Sequence, residues 1–364
     1  MEGFEWLIEK NFIIESFERV KYNEPVAEFY EWLGALEDDQ TIVNKADRIR
    51  LCMKFFDVDY YRMQSIKDIK RVNACHDLFC YNCQHNIALK RFGKYMPILE
   101  DLSKDFDLYH VVFTVPDSEA GMLKSTIKQM YKKFVYINQY FNGSRKSSFV
   151  DFSQFGCVGI VRSLEVEFKV RKDKLWYHPH FHCVFVLKKG LNFRKVKYNC
   201  FSHSYKNDRL RSFTRFEILL QNMWYMLYND IPFTQRNFDE ITRGYSCTAD
   251  KCDSNEYHEV FKYAVGGLFK WKNRDLVCRQ VLDTLYHALY RRKIIQGYGI
   301  LNRFKFDLSE NDDEAIRSYY EYKKRLLAFE KPVKEVQTLF QVKRDINEGQ
   351  IVYISRFKKT LKVK

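Results

Sequence analysis

One run constrains the fold more than any other. Tyr177-His178-Pro179-His180-Phe181-His182 leads directly into Cys183-Val184-Phe185-Val186-Leu187. A stretch so rich in β-branched and aromatic residues reads as a buried strand, and its period of two sends Phe181 into one layer while His180 and His182 emerge together on the other. Two imidazoles on one face can hold a metal ion, although an isolated His-x-His pair is also compatible with hydrogen-bonded strand residues. His178 either tunes such a site or simply starts the strand.

The preceding segment, residues 158–170, reads as a second strand with Glu165 and Glu167 on one face, followed by the turn-like Arg171-Lys172-Asp173-Lys174. Together the two segments predict a hairpin that brings a carboxylate beside the imidazoles. Alone, Glu165 and Glu167 would be a solvated strand face. Next to His180 and His182 they become candidate ligands, and the mixture of nitrogen and oxygen donors suits Mn²⁺ or Mg²⁺ with open positions for a substrate oxygen.

A chain of 364 residues, 46% hydrophobic, can bury a sizeable core in one large or two to three small domains. Its formal charge of +14 and 17% aromatic content favour a polyanionic partner that offers phosphates to Lys and Arg and bases to Tyr and Phe. Charge alone would fit an anionic membrane equally well. No run approaches the length of a membrane span and Met1–Trp6 lacks the pattern of a signal peptide, so no membrane role is expected and a cytoplasmic location is the default. Ten cysteines are too sparse for a disulfide scaffold, so clustered ones read as metal ligands.

Along the chain, residues 1–50 show helical spacing, 51–105 hold a cysteine cluster followed by a basic amphipathic helix, and 305–364 form a charged, basic C-terminal extension. Between them, 106–304 form the expected catalytic domain. Tyr109–Val115 is a buried-strand candidate stopped by Pro116-Asp117, and residues 118–140, 209–229 and 274–293 look helical. Strands preceding and separating helices in this way predict an α+β fold with an antiparallel sheet flanked by helices.

Within the cluster, Cys75-x₄-Cys80-x₂-Cys83 places three thiols in a short segment, and Cys52 is the natural fourth ligand of a tetrahedral structural zinc, with His76 and His85 as substitutes. Further on, Glu259 and Tyr263 are four residues apart and share a face of a helix, pairing a nucleophile candidate with a candidate base. With 25 tyrosines in the chain, that spacing carries weight only through its context.

Taken in order, these motifs resemble the rolling-circle replication initiators of small bacterial plasmids, of the HUH endonuclease class, over roughly residues 70–300. The resemblance is carried by Cys75, Cys80 and Cys83; by Val112-Phe113-Thr114-Val115-Pro116-Asp117; by Leu164-Glu165-Val166-Glu167; by His178-Pro179-His180-Phe181-His182; by Glu259-Val260-Phe261-Lys262-Tyr263; and by Leu285 to Gly299. It implies an HUH-type antiparallel sheet and a small zinc-binding segment. By position it implies that His180 and His182 bind the divalent cation with Glu165 as third ligand; His178 and Glu167, on the same strand faces, are further candidates for ligand or support. Tyr263 would nick DNA through a tyrosyl 5′-phosphate, and Glu259 would activate the water that releases the final product. The family often has a lysine three residues after the tyrosine; Gly266 stands there, leaving Lys262 or Lys270 as phosphate contacts. The expected partner is a single-stranded or hairpin DNA origin, with host helicase and DNA polymerase implied by the family. A rolling-circle transposase of the two-tyrosine type, and a non-catalytic zinc-dependent DNA-binding regulator, are the alternatives.

Overall fold

The computed structural model describes residues 12–61, 66–172, 174–191, 193, 195–198, 211–241, 244–252, 275–303, 333–344, 351–357 and 360–361. Three helices come first: α1 Phe12–Arg19, α2 Glu24–Glu37 and α3 Gln40–Leu51. They are followed by β1 Phe55–Tyr61, β2 Ile66–Val72, α4 Tyr81–Ser103, β3 Phe106–Thr114, β4 Ser118–Glu119 and α5 Ala120–Phe141. The hairpin strands are β5 Gly159–Arg171 and β6 Lys174–Lys188. After them come β7 Lys195–Tyr198, β8 Arg211–Thr214, α6 Arg215–Tyr228, α7 Gln235–Glu240, β9 Cys247–Lys251, α8 Asp275–Leu289 and β10 Ile295–Gly299. The last described elements are β11 Val333–Arg344, β12 Ile351–Phe357 and β13 Thr360–Leu361. All described strand pairs are antiparallel, so the fold is α+β.

The chain divides into two compact units. The first contains Met1–Ile87, Lys272–Leu282 and Asn311–Lys364. Its sheet has the order β12-β11-β1-β2, with β13 on β11. The stretch read from sequence as a charged extension therefore supplies strands: β11 runs antiparallel to β1, with Phe55 opposite Thr338 and Tyr60 opposite Val333. Its high charge hid this, because strand pairing joins backbone groups and does not require an apolar sequence. The helices bury Val26, Ala27, Phe29, Tyr30 and Leu33 of α2 with Ile42, Ala46 and Ile49 of α3. Asp39 caps α3 by accepting a hydrogen bond from the Thr41 amide at 2.8 Å.

The second unit contains Ala88–Trp271 and Asp283–Glu310, and its sheet has the order β10-β5-β6-β3-β9, with β4 added to β6. One sheet face is an aromatic core. Phe113, Phe181 and Phe185 point there, covered by Phe134 of α5 and Trp224 of α6; Phe134 makes edge-on contacts with Phe113 and Phe181. The opposite face is apolar at one end only, where Tyr95 and Leu99 of α4 pack on Leu108, Val161, Val184 and Val186. Helix α6 begins later than the spacing suggested. Thr214 and Glu217 form a capping box, so residues 211–214 are free to pair as a strand with β7.

Candidate metal centres

The polar end of that second face carries the histidines. Strands β5 and β6 pair in a long, uninterrupted register that sets Ser163 opposite His182, Glu165 opposite His180 and Glu167 opposite His178. Directly opposed residues of an antiparallel pair point to the same side. Glu165, His180 and His182 consequently offer ligand atoms that lie within 4.8 Å of one another. A single oxygen, Glu165 Oε2, is 3.2 Å from His180 Nε2 and 3.0 Å from His182 Nε2.

Hydrogen bonding around the rings decides what these nitrogens can do. His180 Nδ1 lies 3.1 Å from the His178 carbonyl oxygen, which only accepts, so Nδ1 carries the proton and the neutral ring presents its Nε2 lone pair to Glu165. A lone pair facing a carboxylate oxygen requires a proton or a cation between them. His182 Nε2 is buried and, although close to Glu165, lacks hydrogen-bond alignment with any partner. Its Nδ1 is 3.0 Å from His110 Nε2, and the two rings stack 10° from parallel.

Burial raises the Glu165 carboxyl, but its contacts with His180 and His182 outweigh this and bring it down to about 2. For His180, burial lowers the pKa and the hydrogen bond and charge of Glu165 raise it further, so the net shift is upward. A carboxylate and two imidazoles with a lone pair and an unaligned buried nitrogen turned toward one point are a donor set that fits a divalent cation. Glu165, His180 and His182 would hold it.

His178 is drawn elsewhere. Its Nδ1 is 2.8 Å from Asp117 Oδ1, and Asp117 also binds Arg171 at 2.8 Å. Burial, followed by the charge of His180, lowers the His178 pKa despite Asp117. Glu167 is exposed opposite it. Neither joins the ligand cluster, because each sits two rungs closer to the hairpin turn than Glu165 and His180. Glu259, Lys262, Tyr263 and Lys270 lie outside the described residues.

The first unit holds a separate cluster, in which Cys52, Cys75, Cys80 and Cys83 are all buried with their sulfurs within 4.8 Å of one another. Cys52 Sγ and Cys75 Sγ are each 3.5 Å from Cys83 Sγ. Cys52 caps the C-terminal end of α3, Cys75 follows β2, and Cys80 and Cys83 bracket the start of α4. The amides of Cys75 and His76 donate to Cys52 Sγ at 3.4 Å and Cys83 Sγ at 3.2 Å, which favours thiolate character. His76, in a left-handed conformation at φ 59°, contributes its amide. Contacts from Cys52, Cys75 and Cys80 lower the Cys83 thiol from its ordinary value, while contacts within the group push Cys75 and Cys80 up. Four buried sulfurs around one point fit a structural metal such as zinc.

Two residues of the histidine site escaped the motif reading. His110 belongs to the buried-strand candidate Tyr109–Val115 and Asp117 to the turn that stops it, and only the tertiary structure brings them beside His182 and His178. Among the described residues no helix is long and apolar enough to cross a membrane. Comparison of the chain with protein-family models, curated proteins and solved structures finds no match.

Proposed function

We propose that the chain is a rolling-circle replication initiator: a DNA nickase and strand transferase of the HUH endonuclease type. The observation that carries this reading is the convergence of His180 Nε2 and His182 Nε2 on Glu165 Oε2 at the polar end of a sheet face, in a chain of net charge +14. A divalent cation held by these three residues would supply Lewis-acid charge for a non-bridging phosphate oxygen.

In this reading, the Tyr263 hydroxyl gives up its proton and attacks the phosphorus. The bond to the 3′ oxygen breaks, and that oxygen takes up a proton. The products are a tyrosyl 5′-phosphate and a free 3′-hydroxyl for a host polymerase, with a host helicase opening the duplex. Glu259 takes a proton from the water that later releases the enzyme. The cysteine cluster stabilises a segment that helps position an origin, and the work is done in the cytoplasm.

The test is incubation with Mn²⁺ and single-stranded fragments of the protein's own replicon, followed by a denaturing gel and peptide mapping. A covalent adduct at Tyr263, absent in Tyr263→Phe and in His182→Ala, is expected. Tyr257 stands six residues before Tyr263, and persistence of an adduct at Tyr257 in Tyr263→Phe would favour the two-tyrosine transposase. Binding without cation-dependent cleavage of any strand would favour a non-catalytic regulator.

A further inference from the structure

Beyond Glu165 and His180, the β5–β6 register continues toward the hairpin turn with Lys169 opposite Trp176 and Arg171 opposite Lys174. By the period of two, all four side chains lie on the same sheet face as the histidines. Contacts agree: Asp117, which binds His178, is also 2.8 Å from Arg171 and 3.5 Å from Lys169. Four rungs separate Glu165 and His180 from Lys169 and Trp176, roughly 13 Å at the usual rise of a strand.

Arg171, Lys172 and Lys174 are exposed, and Trp176 is half-buried. With Pro116 and Asp117 they line a cavity of about 510 Å³. An aromatic ring set among cations beside such a cavity matches the chemistry of a nucleotide, whose base stacks while its phosphate pairs with Lys or Arg. Asp117 holds Arg171 in place, which lowers the entropy lost when it meets a phosphate. Glu119, opposite Trp176 on β4, and the exposed Glu167, between Glu165 and Lys169 on β5, are opposing anions on this face and limit where a phosphate can sit.

We propose that the turn end of the β5–β6 hairpin is a binding track for single-stranded DNA, in which Trp176 stacks on a base and Lys169, Arg171 and Lys174 contact phosphates on the strand leading from the histidine site. Where the strand is also cleaved, this rests on the nickase reading, and it names the surface that holds the flanking nucleotides.

Binding of a fluorescein-labelled single-stranded oligodeoxynucleotide is measured without added divalent cation, so that no cleavage intervenes. Trp176→Ala should weaken it about 10- to 100-fold, the range expected for one stacked base, while Trp176→Phe retains most of the affinity. Lys174→Ala should reduce the salt dependence, log K against log salt, by about 0.7. Duplex DNA of the same sequence should bind the wild type and Trp176→Ala alike, and RNA of the same sequence separates a DNA-specific track from one that accepts any single strand. Single-strand affinity in Trp176→Ala within about twofold of wild type, or an equal loss on duplex, would overturn the proposal. The two readings fail separately: a Trp176 effect with no Mn²⁺-dependent adduct sinks the nickase, whereas an adduct with no Trp176 effect sinks the track.

Discussion

His110 Nε2 lies 3.0 Å from His182 Nδ1, and the two rings stack nearly parallel. For His182 to offer a neutral Nε2 to a cation, its Nδ1 must carry the proton and donate it to His110. In that case His110 sets both the tautomer and the ring orientation of a candidate ligand.

His110→Ala should weaken Mn²⁺ binding at the Glu165–His180–His182 site by about 10- to 100-fold. Titration calorimetry, or Mn²⁺ electron paramagnetic resonance, measures this without any nucleic acid. An unchanged affinity in a folded His110→Ala protein would remove His110 from the site.

The cysteine cluster makes a separate prediction. The purified chain should carry about one equivalent of zinc, lost in Cys80→Ala and on treatment with a strong chelator. Because four buried thiols cannot all ionise without a cation, removal should expose the Cys75–Cys83 segment to proteolysis. Full retention of zinc by Cys80→Ala would show that the metal sits elsewhere.

Glu165 and His180 also fix a pH dependence in buffer without Mn²⁺ or Mg²⁺. Glu165 is held at about 2 against an ordinary 4.5, so its contribution to stability is complete above about 4.5 and is lost as pH falls toward 2. His180 is held above its ordinary 6.5, so its contribution is complete below 6.5 and fades as pH rises through the higher folded value. Glu165→Gln should therefore cost most between about pH 4.5 and 6.5, up to about 3 kcal/mol. Denaturant unfolding of the two proteins across this range checks it; a difference that does not vary with pH would contradict it.

Arg162 offers a test of the core. It is fully buried, with its guanidinium carbon 4.1 Å from the centre of the Tyr131 ring and 4.5 Å from that of Phe181, yet its Nε and Nη1 have no hydrogen-bond partner. Ring contacts of up to about 2 kcal/mol each oppose a desolvation cost of several kcal/mol. Arg162→Met should thus unfold within about 1 kcal/mol of wild type, whereas Arg162→Ala, which leaves a cavity, should lose about 3 kcal/mol. Urea unfolding distinguishes the two; a severe loss in Arg162→Met would mean that the charge itself is required.

The sequence alone determined what is local. Its period of two put His180 and His182 on one face with Phe181 on the other, the basic turn made a hairpin of residues 158–187, and Cys80-x₂-Cys83 drew two sulfurs together. Register and long-range pairing were decided by the tertiary structure, because a one-residue slip would exchange the faces of a strand and nothing local prevents it. Register set Glu165 opposite His180 and left His178 to Asp117, while strand order brought His110 to His182. Packing of α4 over the apolar end of the same face left the other end polar, where the candidate cation ligands stand. Cys52 and β11 joined their partners across 23 or more residues of chain, a distance over which spacing carries no geometric information.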